Sequence, residues 1–354
     1  MKQLLTLALI AAVPVTTKAQ LAITPNLSTA EMTELLEGFG MTILNVDIQC
    51  AGQAYGQFQG DSELQIYEGV LLTTGDASQV ANPASFFATS FTNSGGDPDL
   101  AVLAGVPIYD ACVLTFDCIP VGDTLLLNFS FGSEEYPEFV CTYFNDVFGL
   151  FLSGPGLSGP FTDNAMNIAT VPGTSVPIAI NTVNGGDPGL GGPNSPCVMA
   201  DPNFEDNSIY YVDNATGEHT AYDGFTVNLV AFAAVEPGQT YRFKAAVGDA
   251  GDGIFDSGVF VEAFSFRSNG LSTSIPTAST PALGLEHHGD AVAILLPADT
   301  QGELLLFGDT GQLIRSQRVD SDRVWLDLGG LPTGLYTVRV LDSQGLAPLR
   351  FVKG

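Results

Sequence analysis

From Thr42 onward, apolar residues recur at every second position or in short unbroken runs, and Gly, Pro, Asn and Asp close each run. Residues 125–131, 148–152, 176–180, 225–230 and 241–247 show the pattern best. This is the signature of strands with one dry face or two, and it is too short-ranged for helices. Roughly ten such strands before residue 268 predict two packed sheets, a large β-sandwich. One segment departs from the pattern. Ser28 stands three residues before Glu31, a capping box, and Met32, Leu35 and Leu36 follow at helical spacing. Glu34 and Glu37 lie on the other side, so the spacing predicts a short helix packed on the sheet, stopped by Gly38 and Gly40.

The pattern changes twice more. Residues 1–19 open with Met1-Lys2, continue through an apolar run at 4–13 and end on Thr17-Lys18-Ala19, the layout of a cleaved signal peptide. That run is too short to span a bilayer, and no later stretch approaches the required twenty residues, so no transmembrane segment is expected. Residues 269–285 are rich in Ser, Thr and Pro and read as a linker between an ectodomain at 20–268 and a second unit at 286–354. The second unit repeats the strand pattern at 291–295, 303–307, 312–315, 324–328, 334–340 and 349–353, with turns at 308–311 and 342–345. About seven short strands in so few residues fit a small Ig-like β-sandwich. The fold class expected for the chain is therefore all-β.

Charge narrows the partners. The 354 residues carry 11 bases and 39 acids, a net −28. From Leu21 to Gly270 only Arg242, Lys244 and Arg267 oppose thirty acids. Such a surface repels DNA, RNA and anionic lipid, which are held by clustered bases. Cations are the natural partners. Five cysteines, Cys50, Cys112, Cys118, Cys141 and Cys197, all fall in the ectodomain. Export permits disulfides, the odd count leaves at least one thiol, and the spacing predicts one or two bridges without fixing which.

Two resemblances follow from motifs. Leu331-Pro332-Thr333-Gly334-Leu335-Tyr336, then Val338-Arg339-Val340, the Gly345 turn and the terminal Arg350-Phe351-Val352-Lys353-Gly354 resemble the type A sorting domain of the type IX secretion system. The resemblance implies passage through the periplasm, export by the type IX machinery and removal of the domain, with Pro332, Gly334, Tyr336, Gly345 and Lys353 as the sorting signal. Upstream, Gly69-Val70-Leu71-Leu72-Thr73-Thr74-Gly75, Gly95-Gly96-Asp97-Pro98-Asp99-Leu100, the stretch 131–139, Asn145-Asp146-Val147-Phe148-Gly149, Tyr222-Asp223-Gly224-Phe225-Thr226 and the stretch 249–257 resemble the choice-of-anchor L domain. That resemblance implies display at the outer cell surface or secretion and settles no activity.

The acids offer three chemistries. Calcium takes oxygens from carboxylates and carbonyls on Gly-rich loops. Asp249, Asp252 and Asp256 have that makeup, as do Asp97 and Asp99, with Glu134 and Glu135 as further donors. Neither loop follows the EF-hand spacing. The plainer reading is that these acids cap turns. A glycoside hydrolase would need two carboxylates facing one bond. Glu134 and Glu135 point to opposite faces if their segment stays extended, which leaves Glu135 with Glu138, or either with Asp146, across a turn at Pro137. The third chemistry is ligand binding by aromatics beside polar groups, for which Tyr136, Glu138, Asn145, Asp146 and Asp223 are the candidates, amid Phe139, Tyr143, Phe144, Tyr210, Tyr211 and Tyr222. His219 is the ectodomain's one histidine and no nucleophile elbow accompanies it. The reading is an exported, non-enzymatic adhesion or ligand-binding module, calcium-stabilised, for an extracellular glycan or protein. A secreted glycan-acting hydrolase is the alternative.

Overall fold

The chain divides into two units, Met1–Leu271 and Ser272–Gly354. A computed structural model describes residues 20–84, 91–269, 283–288, 291–296, 300, 302–308, 313–319, 321–341 and 349–353. The signal-like segment 1–19, most of the Ser/Thr/Pro stretch and Gly345 lie outside the described residues.

The large unit is built from two antiparallel sheets. The first contains β1 (Ala22–Pro25), β3 (Tyr55–Gln59), β4 (Glu68–Thr73), β6 (Thr124–Ser133), β9 (Tyr211–Asp213), β10 (Gly224–Thr226), β11 (Leu229–Ala234), β13 (Ser257–Glu262) and β14 (Arg267–Asn269), in the order β1-β3-β4-β13-β6-β10-β9, with β11 and β14 also on β6. The second contains β2 (Met41–Gln49), β5 (Ile108–Pro120), β7 (Val147–Ser153), β8 (Met166–Asn167) and β12 (Tyr241–Ala250), in the order β2-β5-β12-β7-β8.

Period-two patterning decides what meets between the sheets. Leu125, Leu127, Phe129 and Phe131 of β6 point inward and share one core with Leu114, Phe116 and Cys118 of β5 and Phe243, Ala245 and Val247 of β12. Phe129 and Phe131 each contact the Phe148 ring at 5.1 Å, and Phe116 stacks on Phe243 at 4.8 Å. Each fully buried ring contributes about 1.5–3 kcal/mol, which sets the register against a one-residue slip.

The capping box forms as expected and opens α1 (Thr29–Leu36). Ser28 N donates to Glu31 Oε2 at 2.8 Å, Glu31 N donates to Ser28 Oγ at 3.3 Å, and Met32, Leu35 and Leu36 are buried. Two further short helices, α2 (Pro98–Ala104) and α3 (Ser195–Ala200), were not expected. Two strand expectations are corrected. Residues 176–180 make only isolated bridges, Thr170 to Pro177 and Val147 to Ala179, because Pro177 has no N–H to continue a ladder. Residues 225–230 are split between β10 and β11. Phe225 pairs with Gly132 and Leu229 with Phe129, four steps against three, so a bulge at Val227 and Asn228 divides the run.

The cysteines form Cys50–Cys112 and Cys141–Cys197, leaving Cys118 buried as a free thiol. In the small unit β15 (Gly284–His288), β16 (Ala291–Leu295) and β19 (Arg323–Asp327) make one sheet. β17 (Gly302–Phe307), β18 (Leu313–Val319), β20 (Gly334–Leu341) and β21 (Leu349–Lys353) make the other. They enclose Val292, Ile294, Leu304, Leu306, Leu326 and Val338. β15 begins inside the stretch read as linker, since Leu283 and Leu285 find apolar neighbours there. Among the described residues no helix is long and apolar enough to cross a membrane.

Candidate functional site

Two loops at one end of the large unit carry most of the candidate acids. One runs from the end of β6 to β7 over residues 134–146, and the other joins β12 to β13 over residues 251–256. Because Ser133 pairs with Ser257, the two loops leave the sheet side by side. They are then zipped together. Glu134 N donates to the Asp256 carbonyl at 3.0 Å, and Asp256 N donates back to Glu134 Oε2 at 3.1 Å. The Cys141–Cys197 disulfide fastens the first loop to α3, and Cys141 N donates to Asn181 Oδ1 at 2.7 Å.

Asp146 is 1 % exposed and acts as a brace. Its Oδ1 accepts from Ala250 N at 2.9 Å and its Oδ2 from Ser257 Oγ at 2.7 Å. Asp249 is equally buried, yet neither of its oxygens has a hydrogen-bond partner, and Glu135 Oε2 is in the same position. A side chain at Gly75 would put its Cβ 1.4 Å from Asp256 Oδ2, so only glycine leaves room for that carboxylate. Asp252 stands at the rim, half-buried, and caps its own turn by accepting from Ile254 N at 3.0 Å.

Burial without compensating cations pushes these carboxyls up. Glu135 reaches about 10 through burial and the charges of Asp146, Asp252 and Glu134. Asp146 reaches about 7, burial outweighing the hydrogen bonds from Ala250 and Ser257. Asp249 rises well above the carboxylate range through burial and the charges of Asp146 and Asp256. Asp223 reaches about 8 through burial and then Glu134, Glu138 and Asp213. Glu134 thus lies within electrostatic reach of both groups of acids.

Beside the cluster a cavity of about 210 Å³ is lined by Glu135, Phe139, Phe144, Asp252, Ile254 and Phe255. Phe139 packs on Phe144 at 5.6 Å and on Phe255 at 5.1 Å, and Tyr143, which is exposed, meets Phe144 at 6.0 Å. Phe255 and Ile254 escaped the sequence reading, although an apolar pair inside an acidic turn was a visible signal. Gly75 could not have been foreseen, because its partner Asp256 is remote in sequence.

The remaining candidates are taken up by other contacts or by the core. Asp97 caps α2, accepting from Asp99 N and Leu100 N at 3.0 and 3.1 Å. Lys244 Nζ donates to Asp97 Oδ1 and Oδ2 at 2.9 Å and to Asp99 Oδ2 at 2.5 Å, so an internal ammonium takes the place given to calcium. Tyr136 and Tyr222 are fully buried core residues, donating to the Val183 carbonyl and bonding the Thr73 hydroxyl, and are not open to a ligand. Asn145 is spent on Asn181 N at 2.7 Å, and Glu138 is half-buried. His219 pairs with Glu63 at 3.1 Å. Among the described residues, no three His, Cys, Asp or Glu side chains are arranged to hold a metal ion.

In the small unit the described residues of the C-terminal segment interlock. Tyr336 Oη donates to the Pro332 carbonyl at 2.6 Å, its ring stacks on Phe351 at 5.8 Å, and Gly334 pairs with Lys353. Lys353 Nζ donates to the carbonyls of Leu328 and Leu331 at 2.8 and 2.5 Å.

No curated protein matches the chain. Among solved structures it is similar to β-glucuronidases from Ruminococcus gnavus (8 % identity, 69 % of this chain and 34 % of that one, TM-score 0.16), Faecalibacterium prausnitzii (8 %, 68 % and 37 %, 0.19) and an uncultured Clostridium sp. (8 %, 87 % and 44 %, 0.17). The chain spans less than half the length of these structures, and scores so low carry no argument about fold or activity. The choice-of-anchor L domain model matches residues 22–267. The end-of-sheet acid loops, the capped helix and both disulfides all fall within those limits, and the chain belongs to the choice-of-anchor L domain family, which makes it a cell-surface or secreted protein.

Proposed function

We propose that the large unit is a non-enzymatic binding module, delivered outside the cell through the small C-terminal unit. One observation carries the reading. Of the acids that could face a glycosidic bond beside Glu135, Glu134 and Asp146 are each 1 % exposed and spent on holding two loops together. The accessible feature beside them is an aromatic-walled cavity, which suits binding and not hydrolysis. Glycan-acting hydrolysis would predict turnover of some polysaccharide that Glu135→Gln abolishes. The binding reading predicts no turnover by either protein, and any turnover sensitive to that substitution would overturn it.

The sorting role rests on the motif ending Arg350-Phe351-Val352-Lys353-Gly354 and on the Tyr336, Pro332 and Lys353 bonds that give it one shape. Removing residues 331–354 should leave the protein in the periplasm, and arrival at the surface without them would end the proposal.

A second role for the cluster is favoured by Asp249, whose two buried oxygens accept nothing. A calcium ion bound through Asp249 and carbonyls of the adjoining loops would relieve repulsion in a stretch, Leu21 to Gly270, where three bases face thirty acids. Calcium should raise the melting midpoint over that in chelator, and equal midpoints would refute it.

A further inference from the structure

Resting on the binding-module reading, we infer that the cavity between the 134–146 and 251–256 loops is a receptor for an organic ammonium group carried on an apolar stem. Three observations converge on that chemistry. The lining offers acceptors, Glu135 and Asp252, while the rest of its side chains are apolar: Phe139, Phe144, Ile254 and Phe255. Glu135 Oε2 is buried and without a donor, a group that a ligand N–H would satisfy.

The third observation concerns charge. Among the described residues of the large unit the bases are all engaged elsewhere. Arg242 pairs with Asp117 at 3.0 Å, Lys244 with Asp97 and Asp99, and Arg267 Nη1 donates to Asn128 Oδ1 and the Ser265 carbonyl. None of these described bonds reaches Glu135 or Asp252.

Competing ligands fit less well. A hard metal ion takes oxygen ligands throughout and gains nothing from three phenyl rings. A neutral sugar brings no charge that would let Glu135 ionise beside its acidic neighbours. An ammonium on a short hydrocarbon stem answers both halves of the lining, with its charge toward the carboxylates and its carbons against the rings, where cation–π attraction adds to burial. The volume of about 210 Å³ admits a lysine-sized stem. A free amine and a lysine side chain presented by a partner share this chemistry.

Ligand-detected NMR on the full chain, chelator-treated and at physiological salt, tests the assignment with n-butylammonium, Nα-acetyl-lysine amide and neutral 1-butanol. Butylammonium should bind saturably, at least about tenfold more tightly than butanol, and Glu135→Gln should remove about that factor. Phe144→Ala should weaken binding about threefold or more. The half-buried Asp252→Asn serves as a second charge variant should Glu135→Gln fail to fold. Comparable binding of the lysine amide identifies a partner's lysine as the source, and binding of butylammonium alone identifies a free amine. Equal binding of butylammonium and butanol, or wild-type binding by both Glu135→Gln and Phe144→Ala, overturns the inference. If the amines fail while a glycan or protein still binds the surface, only the ammonium assignment falls. Polysaccharide turnover would instead remove the binding-module reading itself.

Discussion

Cys118 shows how far one residue's surroundings decide its chemistry. It lies on β5 with its side chain in the inter-sheet core, and burial, with Asp117 adding to it, pushes its thiol up to about 12. A thiol reagent should therefore find no reactive group in the native protein and one equivalent after unfolding without reductant. More than one native equivalent would mean an open disulfide. Asp249 is the opposite case, a buried carboxyl whose oxygens have no partner. Asp249→Asn should raise the melting midpoint in chelator by removing the ionisation that burial opposes, and should abolish any response to calcium. A variant that keeps a calcium shift would place the ion elsewhere. Gly75→Ala tests packing around the same acids. Its new methyl would collide with the Asp256 carboxylate, and a loss of about 2 kcal/mol or more is expected in denaturant unfolding.

Elements add constraints that single residues do not have. The 134–146 loop has few ladder bonds of its own and depends on Asp146, on the exchange between Glu134 and Asp256, and on Cys141–Cys197. That bridge closes a 56-residue separation, so the double variant Cys141→Ala, Cys197→Ala should lose about 4 kcal/mol of unfolding free energy. If the loops are positioned by the bridge, amine binding should weaken with it. At the other end of the unit, Ser28→Ala removes a reciprocal cap and should cost about 1 kcal/mol, with the cavity unaffected. The α2 start teaches a further point. Asp97 followed by Pro98 is a helix-opening pair, acceptor then fixed φ, so the acid there serves the helix.

For the whole molecule, the excess of acid couples folding to protons. Asp146 at about 7 and Asp223 at about 8 sit above their ordinary value of 3.8. The folded state therefore keeps protons that the unfolded chain releases near pH 4. Stability from these groups is full below that pH and is lost as pH rises through 7 and 8. In chelator the melting midpoint should fall from pH 5 to pH 8, and Asp223→Asn should flatten the fall. An unchanged slope in that variant would show that Asp223 is not one of the groups responsible.

Local chemistry made parts of this protein readable from the chain alone. The period-two runs, the Ser28 and Glu31 box and the turn residues fix strands and α1 because their causes lie within a few residues. The gathering of acids was legible as composition, and the family motifs placed most of the loops. What the sequence could not settle were relations between distant segments: which cysteines pair, that Lys244 claims Asp97 and Asp99, that Tyr136 turns inward, and that Gly75 makes room for Asp256. Those depend on two sheets meeting face to face, since burial and partner choice are set by groups that only the folded chain brings within a few ångströms of one another.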